Sequence, residues 1–403
     1  MSSRFFITVR WAALSGVSGV LAGTSASVFL FLLDGATRFR ELHSQVIFLL
    51  PLGGFFIGYL YQRWGRKTQQ GNNLVIDQIL EPTERIPARM APLVLLSTIL
   101  THFLGGSAGR EGTAVQMGAS LSDQLAHFFK VPSAERKILL ITGAGAGFGA
   151  AIGAPWAGIL FGMEMLQVGK TRWIALWQSG IASWIAFVVT HFLHAPHTQY
   201  PKVLAPPVTV TLGIGVLVLS LGWGFWARAF SWLMHHFEKW IALGLPSLPL
   251  RGAIGGVLIL VLVFGLGTER YLGLGISVIQ RSFEIPAQLW DPILKLIFTL
   301  ITLASGFKGG EFIPLVFMGS TLGSALSPVF EMPPALAGAL GFAAVFGAAS
   351  NTPLACTVMA MELFGWGIGP YAFVACWVSY WVSGNRGIYR SQRIHRSKPF
   401  GAL

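Results

Sequence analysis

Residues 148–165 read FGAAIGAPWAGILFGMEM, and residues 346–363 read FGAASNTPLACTVMAMEL. The two stretches share residues at a constant offset of 198. The matching pairs are Phe148 and Phe346, Gly149 and Gly347, Ala150 and Ala348, Ala151 and Ala349, Pro155 and Pro353, Ala157 and Ala355, Met163 and Met361, and Glu164 and Glu362. This agreement predicts a diverged internal duplication.

Two further pairs of segments repeat in the same order. GSAGREGTAVQMG at 106–118 corresponds to 306–319, with an offset that drifts from 200 to 201. A looser pair joins GNNL at 71–74 to GLGI at 273–276. Three ordered pairs with nearly the same offset indicate that the duplication extends over most of the chain.

The composition indicates a chain that lies mostly in a membrane. Of its 403 residues, 53% are hydrophobic and 11% are charged, whereas a soluble domain carries about a quarter charged residues. A spanning helix needs about 20 apolar residues, and several of the apolar runs are interrupted by Gly or Pro, which predicts helices of uneven length. The runs lie near 11–33, 46–61, 91–104, 137–163, 173–192, 207–231, 252–266, 292–305, 312–330, 333–364 and 370–383. The first run lacks a clear cleavage site, so we predict a retained helix and not a signal peptide.

The net charge of +12 comes from basic residues in short loops and in the tail. Nucleic acid is therefore not expected as a partner. Basic loops mark the cytoplasmic side of a membrane protein. We predict a multi-pass protein of the bacterial inner membrane, in contact with the lipid bilayer, with a cytoplasmic C-terminus.

The paired segments have the pattern of an anion site. Repeats in transporters often place the substrate at their interface, where broken helices direct their N-termini at it. Each paired segment here begins with glycines and continues with helix-forming apolar residues. Free backbone N–H groups at a helix start attract an anion without a full positive charge. The pattern predicts transport of a small inorganic anion.

The same segments resemble those of the CLC family of anion channels and anion/proton exchangers. GSAGREGTAVQMG at 106–118 is similar to the family's GREGP segment, and GGEFIPLVFMGSTLG at 309–323 is similar to its GxFxP segment. GNNLV at 71–75 occupies the place of the GSGIP segment. Tyr389 resembles the tyrosine near the end of the membrane domain. The resemblance runs from about residue 15 to residue 392.

This resemblance implies an all-α polytopic membrane protein with the CLC-type inverted-repeat fold and many tilted and broken helices. It also implies a homodimer with one pore per subunit. The first repeat half is expected at 1–200, the second at 201–392 and a basic cytoplasmic tail at 393–403, with no regulatory C-terminal domain. We place the boundary between the halves near the proline-rich stretch 195–207.

Two glutamates are expected to control gating and proton coupling. Glu111 lies in a very apolar stretch, where an ionisable side chain indicates function by default. The resemblance implies that it occupies an anion position when ionised and carries a proton when neutral; the alternative is a structural pair with Arg110. Glu311 is its repeat partner, at a position where many relatives have an apolar residue. It is expected to carry a proton, to donate a hydrogen bond or to pair with Lys308.

Asn72 and Asn73 are expected to bind the anion. They lie where relatives have Ser-Gly, and the first of these positions helps to set which anion binds. An amide offers N–H donors where a serine offers one hydroxyl. Asn is also a favoured N-cap, and the two roles of Asn72 are compatible.

Other expected anion-binding residues come from the same segments. Phe312 matches the filter phenylalanine, whose electropositive ring edge can face an anion; core packing is the alternative. Tyr389 is expected to donate its hydroxyl from the inner side of the pathway, or else to act as an interfacial anchor. The segments further contribute Gly109, Arg110, Gly112 and Ile313.

At four places the sequence departs from the pattern of chloride-type CLC proteins, and these departures bear on which anion is transported. Asn72-Asn73 replaces Ser-Gly, Thr113 replaces the proline of GREGP, Glu311 is acidic, and Met165 replaces the inner acid of proton-coupled chloride exchangers. Together they resemble the bacterial branch that exports fluoride in exchange for protons. Fluoride is strongly hydrated, and an amide-rich site could return the hydrogen bonds that it loses.

Glu164, next to Met165, recurs as Glu362. Recurrence in both halves favours a structural role, such as helix capping or loop pairing, over a proton relay. Cys356 and Cys376 lie in apolar runs and are predicted to be small core residues.

Two other functions compete with fluoride export as interpretations of the sequence. One is a chloride channel or chloride/proton exchanger of the same family, although the missing inner acid argues against the usual exchanger. The other is an intramembrane hydrolase, because Gly16-Val-Ser18-Gly19 matches a GxSG motif. Small residues in an apolar run more often mark helix packing, and His102, His191 and His194 complete no motif. The sequence predicts no enzyme, metal or cofactor.

Overall fold

The computed structural model describes residues 2–401, and these are mostly helical. Met1, Ala402 and Leu403, at the outer ends of the predicted first half and of the tail, lie outside the described residues. The helices are α1 (Ser2–Leu42), α2 (Leu50–Leu60), α3 (Asn72–Leu80), α4 (Met90–Phe103), α5 (Glu111–Phe128), α6 (Ser133–Ile152), α7 (Pro155–Glu164), α8 (Leu176–Phe192), α9 (Val210–Gly244), α10 (Leu248–Leu266), α11 (Ile276–Glu284), α12 (Asp291–Ala304), α13 (Phe312–Leu326), α14 (Pro334–Ser350), α15 (Pro353–Phe364) and α16 (Gly369–Val382).

The helices differ in length, as their interrupted apolar runs predict. Within the described residues, six helical stretches are long and apolar enough to cross a membrane, whereas α4, α14 and α15 are shorter apolar helices. In α10, 19 residues long, the side chains of Val257, Val261 and Phe264 are exposed. Such a helix rises about 28 Å, close to the thickness of a bilayer core. The prediction of a polytopic all-α membrane protein with broken helices is confirmed.

Breaks between helices follow from proline and from left-handed backbone. The apolar run 137–163 forms α6 and α7, which are separated at Gly153, where φ is +79°, and Pro155 begins α7. The run 333–364 forms α14 and α15 in the same way, with Asn351 at φ +61° and Pro353 at the start of α15. Proline lacks an N–H and is tolerated in the first helical turn, so each proline ends one helix and starts another.

Two carboxylates cap these restarted helices reciprocally. The carboxylate of Glu164, at the end of α7, accepts hydrogen bonds from the N–H groups of Leu354 (3.1 Å) and Ala355 (2.8 Å) in α15. Glu362 of α15 accepts from the N–H groups of Trp156 (3.0 Å) and Ala157 (2.8 Å) in α7. The expectation that this repeated glutamate caps a helix is confirmed.

Glycines allow the closest helix contacts in the core. A Cβ on Gly319 of α13 would lie 2.0 Å from the carbonyl oxygen of Gly341 in α14. In the first part of the chain, a Cβ on Gly118 of α5 would lie 2.2 Å from the carbonyl oxygen of Gly143 in α6. Real Cβ atoms do not fit at such distances, so both helix pairs depend on glycine.

Gly341→Ala is therefore expected to destabilise the protein by about 1–3 kcal/mol, the usual range for overpacking. Its Cβ would lie 2.1 Å from the carbonyl oxygen of Gly319, which forces α13 and α14 apart. Reversible unfolding in mixed micelles measures the loss. Gly222→Ala is the control, because a Cβ there meets nothing within 4 Å. Equal stability of the two variants would contradict the expected clash.

The chain runs irregularly between α8 and α9, from residue 193 to residue 209, and this connector contains the stretch 195–207. After α16, Arg393–Ile394 pairs as a short parallel strand with Gln167–Val168. The start of the basic tail is thereby attached to the loop after α7. The division into halves and tail stays a prediction.

Candidate functional site

Three helices begin close to one another. Asn72 begins α3, Glu111 begins α5 and Phe312 begins α13. A Cβ on Gly112 would lie 3.1 Å from the Nδ2 atom of Asn72 and 3.2 Å from the Cα of Gly310. The segment 106–118 is therefore in contact with both of the other segments that resemble the CLC family, 71–75 and 309–323.

A two-residue bridge joins the two paired segments. Gly109 N–H donates to the carbonyl oxygen of Gly310 (2.6 Å), and Gly310 N–H donates to the carbonyl oxygen of Gly109 (2.8 Å). The N–H of Gly109 is thus engaged within the protein, and an anion contact at Gly109 stays a prediction. A Cβ on Gly109 would lie 2.9 Å from the carbonyl oxygen of Gly310 and 2.9 Å from the backbone nitrogen of Ile313. The position requires glycine because two backbones meet there.

The donors left for an anion are the first N–H groups of the helices. The opening turn of an α-helix has N–H groups without intrahelical acceptors, and these carry the positive end of the helix dipole. In α5 the N–H groups of Thr113 and Ala114 bond to the carbonyl oxygen of Arg110 and that of Glu111 bonds to its own carboxylate, which leaves that of Gly112. In α13 Pro314 has no N–H, which leaves those of Phe312 and Ile313.

Glu111 is 1% exposed and lies at the start of α5. Its Oε1 is 3.2 Å from Nε of Arg110, and its Oε2 accepts from the backbone N–H of Arg110 at 3.2 Å. The guanidinium of Arg110 also donates to Oγ1 of Thr198 at 2.9 Å. The pairing that the sequence offered as the alternative is therefore present. The guanidinium bonds to Glu111 and Thr198, and the expected anion contact of Arg110 stays a prediction.

The two asparagines have different surroundings. Gly71 is the N-cap of α3 and no side chain caps this helix, so the N-cap alternative for Asn72 is wrong. Oδ1 of Asn72 is buried without a hydrogen-bond partner among the described residues. Oδ1 of Asn73 accepts from the backbone N–H of Ser391 at 3.0 Å, which ties α3 to the segment after Tyr389. Of the two amides, that of Asn72 lies at the converging helix starts.

Phe312 packs in a cluster of aromatic rings. Its ring meets those of Phe148, Phe342 and Phe346 edge-on, at centroid distances of 5.6, 5.8 and 4.6 Å. Core packing, the alternative offered for this residue, is thus observed. Phe148 and Phe346 are a repeat pair, so the two halves of the predicted duplication surround the start of α13 with equivalent rings.

A cavity of about 390 Å³ leads from these helix starts toward one side of the protein. Asn72, Asn73, Glu311 and Tyr389 line it. A wider cavity of about 880 Å³ shares part of this wall. The residues common to both are Gln69, His235, Glu238, Leu303, Lys308, Tyr389 and Arg390. Glu111 is buried and lines neither cavity, whereas Glu311 and Tyr389 line the smaller one.

The expected alternative pair of Glu311 and Lys308 does not form. Among residues 2–401 no ion pair within 4.0 Å joins them. The ammonium of Lys308 instead lies 4.2 Å from the ring centroid of Tyr61. A cation over a ring face keeps its positive charge near the cavity without neutralising Glu311. The salt-bridge alternative is therefore wrong.

Sequence reasoning missed the polar residues at the mouth of the cavity. Glu238 of α9 pairs with Arg390 (2.5 Å), and Nδ1 of His235 lies 2.9 Å from Nε of Arg390. An acid within a long apolar helix is a functional candidate by default. That signal was available for Glu238 because α9 is one of the candidate spans.

A family model described as a voltage gated chloride channel matches residues 53–384. The chain belongs to this family, the CLC family. Members are anion channels or transporters, so the expectations of anion transport and of a protein that is not an enzyme are confirmed. The expected CLC fold is confirmed as well.

Several CLC relatives are similar over nearly the whole chain. A "Chloride/fluoride channel protein" from Pseudomonas syringae pv. tomato is 43% identical over 96% of this chain and 87% of its own length. The crystal structure of "a CLC-type fluoride/proton antiporter" is 34% identical, with a TM-score of 0.93 over 98% of this chain and 100% of the other. A "slow cyanobacterial Cl-/H+ antiporter" is 20% identical with a TM-score of 0.83 over 94% of this chain and 96% of its own, and shares the CLC fold.

The hydrolase alternative finds no support in this CLC protein. The hydroxyl of Ser18 bonds to that of Ser122 at 2.6 Å. A Cβ on Gly19 would lie 2.6 Å from the carbonyl oxygen of Ala182. The small residues of this motif therefore bring α1 close to α5 and α8, as the helix-packing interpretation predicted.

Proposed function

We propose that this protein exports fluoride from the bacterial cell in exchange for protons. The observation that carries the proposal is that the start of α5, where the carboxyl of Glu111 is buried, lies against both the Asn72 amide and the turn before α13. The similar proteins whose names include fluoride support the choice of ion. The membrane is proposed to be the inner membrane, because the basic loops and the related bacterial proteins favour it.

The proposed anion position lies among N–H donors and not beside a free cation. The N–H groups of Gly112, Phe312 and Ile313 point from helix starts, and the Asn72 amide adds side-chain donors. Arg110 is held by Glu111 and Thr198. Partial charges of this kind stabilise an anion without holding it too tightly to release it. Fluoride, which loses a strong hydration shell, gains most from such dense hydrogen bonding.

Glu111 is proposed to compete with the anion for these donors. When ionised, it can leave Arg110 and occupy the anion position; when protonated, it swings away and carries the proton. Its burial makes an unpaired charge costly, so proton and anion binding at this position are linked. Thr198 retains Arg110 in either state, because its hydroxyl bonds to a separate nitrogen of the guanidinium.

Glu311 and Tyr389 are proposed to serve the cavity side of the pathway. Glu311 begins the turn before α13, without an ion pair among the described residues, and lines the same cavity as the Tyr389 side chain. A carboxyl there can pass a proton toward the cavity in place of the acid that Met165 replaces. Tyr389 is proposed to donate its hydroxyl to an anion that enters or leaves by the cavity.

The assembly is proposed to be a homodimer with one pore per subunit, and its C-terminus to be cytoplasmic. The basic residues that follow α16, among them Arg386 and Arg390, support this orientation by the positive-inside rule. Both residues line the wider cavity. That cavity is therefore proposed to open to the cytoplasm.

Flux from liposomes tests the choice of anion. We expect fluoride efflux to exceed chloride efflux by at least about tenfold, which corresponds to about 1.4 kcal/mol in barrier height, and proton uptake to accompany fluoride. Ion-selective electrodes and a pH electrode measure both in parallel. Chloride efflux equal to that of fluoride would instead favour a chloride channel or chloride/proton exchanger. Fluoride efflux without proton uptake would favour a channel.

A further inference from the structure

A separate cavity of about 590 Å³ lies where the tail meets the ends of α7 and α16. It shares no lining residue with the two cavities at the candidate anion site. Its lining combines basic, aromatic and small polar residues. They are Glu164, Gln167, Gly169, Lys170, Thr171, Asn351, Pro353, Trp377, Tyr380, Trp381, Arg396, Ser397, Lys398 and Pro399.

Lys398 is a buried basic residue in the wall of this cavity. It is 5% exposed; its ammonium donates to Oγ of Ser383 at 2.8 Å and lies 3.9 Å from the ring centroid of Tyr380. No carboxylate within residues 2–401 lies within 4.0 Å of it. Burial without a counter-charge lowers the pKa of Lys398 to about 6. An anion in the cavity would supply the missing opposite charge and restore the protonated form.

The acid in the cavity wall does not fill that role. Both carboxylate oxygens of Glu164 accept hydrogen bonds from the N–H groups of Leu354 and Ala355. The carboxylate of Glu164 therefore caps the start of α15 and does not pair with Lys398. The cavity retains positive charge from two further basic residues, Lys170 and Arg396, and Lys398 adds to it when it is protonated.

Lys170 and Arg396 are exposed and are held at the cavity by backbone pairing. The short strands Gln167–Val168 and Arg393–Ile394 are parallel neighbours, and the N–H of Arg396 donates to the carbonyl oxygen of Val168 at 3.2 Å. Lys170 and Arg396 thus each lie two residues after the end of one of the paired strands. Little further ordering of the backbone is needed to bring them to one ligand.

Tryptophans place this cavity at the boundary of the bilayer. Trp381, in the last turn of α16, is 43% exposed. Trp377 lies one turn before it, and its Nε1 has no acceptor among the described residues. Tryptophans collect at the level of lipid headgroups, and clusters of Lys and Arg at that level bind anionic headgroups.

We propose that this cavity binds the phosphate of an anionic phospholipid, such as phosphatidylglycerol. Lys398 contacts the phosphate at the base, Lys170 and Arg396 contact it at the rim, and the indole N–H of Trp377 donates to an ester oxygen. The exposed face of Trp381 packs against the acyl chains. A free phosphate ion would use the basic residues but would gain nothing from this exposed ring.

Native mass spectrometry of the detergent-solubilised full chain tests the site, with phosphatidylglycerol and phosphatidylcholine as probes. We expect phosphatidylglycerol to bind more tightly than phosphatidylcholine. Lys398→Gln is expected to weaken phosphatidylglycerol binding by about fivefold, the usual effect of one basic residue near a membrane surface. The rim variant Lys170→Gln/Arg396→Gln changes exposed side chains and guards against misfolding of the buried variant. Lys130→Gln, exposed and remote from the cavity, is the control and should change binding less than about twofold.

Three outcomes would overturn the proposal. The first is equal binding of the two lipids, and the second is an equal loss of binding in Lys130→Gln and in the rim variant. The third is displacement of phosphatidylglycerol by millimolar inorganic phosphate, which would indicate a site for free phosphate.

Discussion

Glu111→Gln is expected to abolish the proton uptake that accompanies fluoride efflux. Glutamine keeps the size and the hydrogen-bonding ability of a neutral glutamate, but it neither ionises nor carries a proton. Removal of a positioned proton-transfer group reduces a rate by about 100-fold or more. Fluoride efflux itself should continue only to the extent that the neutral glutamine leaves the N–H groups at the helix starts free to bind the anion.

Parallel recordings of fluoride and pH from liposomes measure this effect. Glu284→Gln is the matched control, because Glu284 is exposed at the end of α11, and it should preserve coupling. Proton uptake that persists in Glu111→Gln at the wild-type ratio would remove Glu111 from the proton path. In that case Glu311, which faces the cavity, becomes the first candidate to test in its place.

Loss of either capping carboxylate is expected to have the largest effect on stability. Glu164→Ala leaves the N–H groups of Leu354 and Ala355 without their acceptor inside the protein. A buried donor without a partner costs about 1–3 kcal/mol, so two donors cost about 2–6 kcal/mol. Glu362→Ala should cost less, because Trp156 at the other helix start is exposed and water can replace part of the cap.

Reversible unfolding in mixed micelles distinguishes these variants. Glu164→Gln retains one acceptor oxygen and should lie between the wild type and Glu164→Ala. Glu284→Ala is a control for removal of a surface carboxylate. A loss of stability in Glu164→Ala no larger than in Glu284→Ala would show that the cap contributes nothing. Loss of transport without loss of stability would instead indicate a functional role for Glu164.

Local sequence patterns predicted most of the fold and several of the candidate site residues. The repeated Pro155 and Pro353 predicted two broken helices, and the repeated glutamates predicted caps, because a residue retained in both copies must satisfy the same local need. Asn72, Glu111 and Phe312 were found as starts of glycine-led segments. The resemblance to the CLC segments predicts that Gly109 and Arg110 bind the anion, and in the structure they contact Gly310, Glu111 and Thr198.

The sequence by itself determined a membrane protein of repeated, interrupted helices with an acid and an amide at helix starts, because hydrophobic length, proline and glycine act over a few residues. Only the tertiary structure decided which of these side chains remain available to bind a ligand and which are held by other residues. Thr198 holds Arg110 from 88 residues away, and Lys398 is buried beside Ser383 and Tyr380 with no ion-pair partner among residues 2–401. Contacts between distant segments depend on how the helices pack, and the order of residues along one segment does not encode that packing.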